Sequence, residues 1–445
     1  MGRIESIVFE DEIVLYWEKA ADVRETGYEI WCNGGKVGET DKTHFTLTGL
    51  IACTDYGIEI KSLPTGNLER VTLTTGKAKR RIDVTAAPYN AVGDGNILNT
   101  VALQKALDDC KEDEVVYLPR GIYLTGALRM HSDIELYLEE GAVLQGTDRV
   151  EDYRPKIWSR FEGTELYCYS SLLNLGELDH EVGYNCCNVI IRGKGTIASG
   201  GRVLAERVIA VETENMKEQL EALGEQIKEC ENERTIPGRV RPRLINMSNC
   251  QNIILSGVTL RNGASWNVHM IYSDTIVTNH CNFYTGEDSI AIKSGKNPEG
   301  NKIGRPTKHI RIFDCRCAYG HGITIGSEMS GGGEDVRIWD CDMSSSLFGI
   351  EIKGTWKRGG YVRNVHATDC KVTRVLLHSV GYNNDGIAAD VQPYFEDCSF
   401  ENLSISGKYY DHYKEERGYC DAIELIGFDE PGHELKKILH FVISQ

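Results

Sequence analysis

Glu287 and Asp288 stand side by side after Gly286, and His321 follows between Gly320 and Gly322. An adjacent acid pair with a histidine is proton-transfer chemistry. One carboxyl donates, one carboxylate accepts, and an imidazole beside them tunes the exchange. Lys353 ends a third block, Gly349-Ile350-Glu351-Ile352-Lys353, and adds a fixed positive charge suited to a carboxylate partner. The set suits cleavage of an acidic sugar chain. A lone acid pair in a turn is usually solvated, and a lone histidine between glycines is usually structural. Their joint appearance at matching positions of successive blocks favours the chemical reading.

The blocks share one pattern. A glycine turn precedes two isoleucines separated by one residue, as in Ile290-Ala291-Ile292, Ile323-Thr324-Ile325 and Ile350-Glu351-Ile352. Period two means a short strand with one buried face, so Glu351 and Lys353 both point outward. Stacked strands of this kind bring Glu287, Asp288, His321 and Lys353 to one surface. Asp314-Cys315, Asp340-Cys341, Asp369-Cys370 and Asp397-Cys398 recur at spacings of 26, 29 and 28. Periods in the twenties, with no helical periodicity, predict a right-handed parallel β-helix, an all-β solenoid. Its cysteines stack inside as small hydrophobes. A metal site at Cys315 and Cys317 is the sharper alternative, and the spacing matches no common ligand set.

Residues 1–78 read as a small all-β unit, with strands around Ile13–Trp17, Gly27–Trp31, Thr43–Leu47 and Tyr56–Ile60. Trp17, Tyr28, Leu50 and Tyr56 are its expected core. Lys77-Ala78-Lys79-Arg80-Arg81 is the expected linker, and the solenoid occupies 82–445. Thr100 to Cys110 is helical and caps its start. One polar, helical insertion falls at about 209–233, with Met216, Leu220, Leu223 and Ile227 on one face. Packing on the solenoid's flank is its simplest role.

The chain has 445 residues, 41% of them hydrophobic, which suits a globular protein with a large core. A net charge of −17 argues against nucleic acid as the main partner. It also repels a polyanion at long range, so an acidic sugar needs a local basic site. Lys293, Lys296, Arg305, Lys308, Lys353, Lys357 and Arg358 flank the motif blocks and are its candidates. No apolar run reaches a membrane span. Fifteen cysteines and no basic-then-apolar leader suggest free thiols in the cytoplasm, or export if a leader precedes this terminus.

From residue 82 to about 430 the chain resembles glycoside hydrolase family 28, the polygalacturonase group. The resemblance rests on Asp83-Val84-Thr85 with Gly93-Asp94-Gly95, on Gly121-Ile122-Tyr123-Leu124-Thr125-Gly126, and on Leu136–Ala142 and Gly193–Ile197. It rests above all on Gly286-Glu287-Asp288, Gly320-His321-Gly322 and Ile352-Lys353, which match the family's Gly-Asp-Asp, histidine and Arg-Ile-Lys blocks. The first unit resembles a fibronectin type III domain in Phe45–Leu50 followed by Tyr56. That module ahead of such a domain resembles the bacterial exo-acting members. The resemblance implies inverting hydrolysis of α-1,4 galacturonosyl bonds in pectic polysaccharide or oligogalacturonide, without a cofactor or metal. It implies Glu287 as the general acid, with Asp288 raising its proton affinity and activating water. It implies His321 beside the acid and Lys353 on a substrate carboxylate. Lys293, Trp266 and His269 are the further candidates for substrate contact.

Three departures qualify these implications. The family's Asn-x-Asp-Gly segment, one coil before the acid pair, is absent: only Met270 to Thr285 lie between Ser265–His269 and Gly286, as if one coil had been removed. Asp274 is the one substitute in that stretch, and its setting is that of a turn. Glu287 replaces aspartate, and Glu351 replaces the family's arginine. The expectation is therefore an exo-acting hydrolase of impaired or altered activity. An inactive binder of pectic oligosaccharides and a polysaccharide lyase are the alternatives. The lyases use Ca²⁺, and no carboxylate cluster here has Ca²⁺-ligand spacing.

Overall fold

The computed structural model describes residues 2–19, 25–181, 183–224, 234–355, 357–379, 386–391, 393–405, 426–427 and 443–444. The chain divides into two compact units, Met1–Arg81 with Asp113–Val115, and Ile82–Glu112 with Val116–Gln445.

The first unit holds two antiparallel sheets. One joins Glu5–Val8, Glu12–Tyr16 and His44–Thr48, and the other Gly27–Cys32, Gly35–Thr40, Asp55–Leu63 and Leu68–Thr74. Alternating apolar residues face inward between them, which is the layering of a β-sandwich. Ile13, Leu15, Trp17, Tyr28, Ile30, Leu47, Ile58 and Ile60 form its core. Leu50 and Tyr56 pack only at the edge of that core. Tyr56 is held there because its hydroxyl accepts the Ile51 N–H at 2.8 Å.

The second unit is a right-handed parallel β-helix of three long sheets. From Glu114 to Ile405 successive coils give one strand to each of the first two sheets, and those from Glu114 to Ser379 also give one to the third. Thr307–Phe313, Arg316–Cys317 and Gly322–Gly326 make one coil, and Gly333–Trp339, Asp342–Met343 and Gly349–Gly354 make the next. Parallel registry stacks like on like. Ile290, Ile323, Ile350 and Val375 form one inward column, and Ile292, Ile325, Ile352 and Leu377 form another. All are buried. Each such side chain contributes about 1.5–3 kcal/mol of burial.

Corners between strands require a left-handed residue in every coil. Gly257, His280, Asp314, Asp340, Asp369 and Asn402 all have positive φ and precede an inward residue, namely Val258, Cys281, Cys315, Cys341, Cys370 and Leu403. Asparagine, aspartate and glycine tolerate that conformation best. The repeated Asp-Cys pair is therefore a corner signal, and its cysteines are buried free thiols. One pair is out of step. Cys398 lies opposite Val365, not in the Cys370 column, so Asp397-Cys398 belongs to a second left-handed column with Asp335 and Asn364. Two columns of identical chemistry made the last spacing look like a fourth repeat.

The helical insertion begins earlier than its sequence suggests. Helix α2 covers Gly201–Asn215 and α3 covers Lys217–Leu223, after the capping helix α1 at Thr100–Asp109. The face that packs is Leu204, Ala205, Val208 and Glu212. Helix α3 buries no side chain, Met216 marks the break, and Ile227 lies outside the described residues. A short helix α4, Thr235–Gly238, returns the chain to the solenoid. Among the described residues no helix is long and apolar enough to cross a membrane.

Candidate active site

The strand Asp288–Lys293 carries the site. Strict alternation would turn Asp288 inward with Ile290 and Ile292. A bulge prevents this: Asp288 pairs with Gly322 and Ile290 with Ile323, leaving Ser289 as the extra residue. Bulges re-aim side chains in this way. The re-aimed Asp288 carboxylate meets Nδ1 of His321 at 2.9 Å and accepts the Thr324 hydroxyl at 3.1 Å. Thr324 also reaches Glu351 at 3.4 Å, and Lys353 Nζ donates to Glu351 at 2.9 Å. His321, Asp288, Thr324, Glu351 and Lys353 thus form one polar chain across three adjacent coils.

The electrostatics of that chain are lopsided. Burial of Asp288 alone would raise its pKa, but the His321 hydrogen bond and the Lys353 charge outweigh it, so the carboxyl is held below its ordinary value. Burial would lower the His321 pKa, and Asp288 overrides it, so the imidazole is held above its ordinary value. Asp288 is thereby kept as an acceptor. Lys353 is neutralised by Glu351, as their shared outward face allows.

Glu287 faces elsewhere. Its main-chain carbonyl accepts the His321 N–H at 3.0 Å, which stitches the turn to the next coil. Its carboxylate pairs with Arg241 Nη1 at 3.1 Å and is about one-third exposed. It opens on a pocket of about 840 Å³ whose lining includes Thr285, Gly286, Tyr319, Arg202, Arg234 and Arg241. Sequence reasoning missed these three arginines and favoured cations beside the motif blocks. The alternating Arg239-Val240-Arg241-Pro242-Arg243 was a local signal for Arg241 alone, and no comparable pattern marks Arg202 or Arg234. A larger pocket, about 1040 Å³ with Arg129, His131 and Arg154 in its lining, holds none of the predicted residues.

The other end of the strand is closed. Lys293 pairs with Glu328 at 2.8 Å and lies 3.7 Å from the Trp266 ring centroid. Phe161 stacks on Trp266 at 4.6 Å, and Trp266 stacks on His269 at 5.2 Å. Phe161 comes from a hairpin, Ile157–Phe161 and Thr164–Cys168, whose two-residue turn Glu162-Gly163 has positive φ at both positions. Arg243 lies 4.8 Å from the Phe161 ring centroid and is fully buried. His269 is also fully buried, and burial with the Arg243 and Lys293 charges holds its pKa well below the ordinary value. Burial would raise the Glu328 pKa, but Lys293, Arg160 and Arg358 hold it far down.

The sequence of residues 182–381 matches the profile of glycosyl hydrolases family 28. A probable polygalacturonase of Vitis vinifera is 31% identical over 318 residues, which span 62% of this chain and 58% of that protein. An exo-poly-alpha-D-galacturonosidase of Dickeya chrysanthemi is 24% identical over 512 residues, spanning 96% and 83%. Among solved structures, the family 28 exopolygalacturonase of Yersinia enterocolitica superposes with a TM-score of 0.75 at 22% identity, covering 92% of this chain and 87% of that one. Residues 182–381 thus form a glycosyl hydrolases family 28 domain.

In this family 28 domain the four residues expected on one surface separate into two settings. Asp288, His321 and Lys353 share the polar chain, whereas the Glu287 carboxylate points into the arginine pocket. His321 therefore bonds Asp288 and not the expected acid. Lys293, Trp266 and His269 are corrected from open substrate contacts to members of a buried cluster, because the hairpin covers their face of the sheet. Lys296 and Arg358 are buried as well. Val268 pairs directly with Ile290, so no further coil stands between the strand Val268–Ile271 and the strand Asp288–Lys293. Asp274 starts a strand of another sheet, where Tyr184 and His309 hold its oxygens.

Proposed function

We propose that the chain hydrolyses α-1,4 galacturonosyl bonds of pectic chains, with inversion and from a chain end. The observation that carries this reading is the division of labour at consecutive residues. Asp288 is buried and held ionised, while Glu287 stands about one-third exposed in an arginine-lined pocket. An inverting glycosidase needs one carboxylate to take a proton from water and one carboxyl to give a proton to the departing oxygen. Asp288 takes the water proton as the water oxygen bonds to the anomeric carbon. The glycosidic C–O bond breaks, and Glu287 protonates the leaving oxygen. Arginines suit the substrate's planar carboxylates through paired N–H donors. The names of the Vitis and Dickeya relatives point to the same substrate class. Cleavage from an end is supported by the hairpin, whose Phe161 blocks the sheet at Trp266.

The test is incubation with polygalacturonate, following reducing ends, viscosity and ultraviolet absorbance. Reducing-end release with slow viscosity loss and no absorbance is expected. Growth of absorbance from unsaturated ends would replace hydrolysis by elimination. No release by folded protein that retains oligogalacturonide would leave a binding protein.

A further inference from the structure

We infer that Arg241 is a substrate-operated latch on Glu287: a galacturonate carboxylate takes over the guanidinium and thereby frees Glu287 to act as the general acid. The inference rests on the proposed hydrolase reading and goes beyond it to the regulation of that site. Three observations carry it. The Glu287 carboxylate is engaged by Arg241 Nη1 at 3.1 Å. Arg241 engages Oε1 of the same carboxyl that a leaving oxygen must approach, so guanidinium and substrate compete for it and the pair opens as the acid turns to the leaving group. Arg241 is itself anchored, with Nε donating to Gly238 O at 2.9 Å and its guanidinium carbon 5.3 Å from the Phe161 ring centroid. It therefore stays in place when its partner changes. Finally, both side chains line the same 840 Å³ pocket, so an anion bound there competes directly for Arg241.

The competitor has a defined chemistry. It is a planar carboxylate, which matches the guanidinium fork as Glu287 does. A neutral sugar lacks it and leaves the latch shut. Other acids cannot substitute from within the pocket without their own rearrangement, because Glu206 already pairs with Arg202 and Arg234, and Glu162 with Arg239. The latch thus makes the acid function conditional on an acidic sugar, which is a form of selectivity distinct from binding strength.

The experiment compares the wild type, Arg241→Gln and Arg241→Lys on a galacturonate trimer and on its methyl ester, with KM and kcat determined separately and folding checked by circular dichroism. For Arg241→Gln the acidic trimer should show a KM raised roughly 10- to 100-fold, the scale of a lost charge-assisted contact. Turnover of the methyl ester should rise, because nothing holds Glu287 any longer. Arg241→Lys should restore much of the preference for the acid. Parallel losses on both substrates, or no change on either, would overturn the latch while leaving the hydrolase reading intact. Should Arg241→Gln fail to fold, Arg241→Met takes its place under the same criteria: a raised KM for the acidic trimer with faster turnover of the methyl ester argues for the latch, and equal losses or no change on both substrates argue against it. Absence of release by the wild type on both substrates would remove the hydrolase reading, and the latch with it.

Discussion

The strand Asp288–Lys293 has two polar ends, and the fold treats them oppositely. At the first end, a bulge turns Asp288 to His321 and Thr324, and the adjoining Glu287 opens on a pocket. At the second end, Lys293 is sealed with Glu328 beneath Trp266 and the Phe161 hairpin. Both ends carry opposite charges in hydrogen-bond contact. Only the first keeps a titratable group within reach of a ligand. Perturbed ionisation by itself therefore does not mark the reactive end, since Glu328 is held down as Asp288 is. Access marks it.

Substitutions at the two ends should separate activity from stability. The largest effect is expected at the first end, where Asp288→Asn or Glu287→Gln should lower kcat roughly 10²–10⁴-fold, the usual range for a lost general base or acid. Initial rates on polygalacturonate measure it, and the unfolding midpoint should barely move for Glu287→Gln. At the second end Glu328→Gln should do the reverse. It leaves Lys293 as a buried charge without its counter-ion, at a cost of about 3–5 kcal/mol. Urea unfolding reads that loss, and the double change Lys293→Met with Glu328→Leu should recover most of it. A Glu328→Gln protein as stable as the wild type would erase the contrast.

A smaller effect follows from the Asp288–His321 pair. Asp288 is held down, so its share of stability is present above the ordinary aspartate value of ~3.9 and is lost as pH falls through the folded value. His321 is held up, so its share is present below ~6.5 and is lost as pH rises through the folded value. These are two views of one hydrogen bond and do not add. The contribution is greatest between about pH 4 and 6.5, so His321→Gln should lower the melting temperature most within that window and less on either side of it. The smallest effect lies far from both ends. Asn252 sits at φ 57, so Asn252→Ala should cost about 1–2 kcal/mol through left-handed strain, and Asn252→Gly less. Thermal melts distinguish the two.

The solenoid was legible in the sequence because parallel stacking repeats the same local rules. Ile290, Ile323 and Ile350 recur since each coil rests on the last, and Asp314, Asp340 and Asp369 recur since every corner needs a left-handed residue. The blocks holding Glu287, Asp288, His321 and Lys353 were legible for the same reason, as glycine turns followed by paired isoleucines, but the direction of each polar side chain was not. Three things belonged to the tertiary structure alone. Asp288 turns toward His321 only because a one-residue bulge breaks the alternation, and a bulge depends on the register with the neighbouring coil. Lys293, Trp266 and His269 are closed off by a hairpin more than 90 residues earlier in the chain, a contact that no periodicity encodes. Arg241 meets Glu287 across 46 residues because helices α2 to α4 return the chain to the solenoid at that point. Sequence fixes what repeats locally. Which charged groups face one another, and which stay open to a ligand, is set by long-range packing.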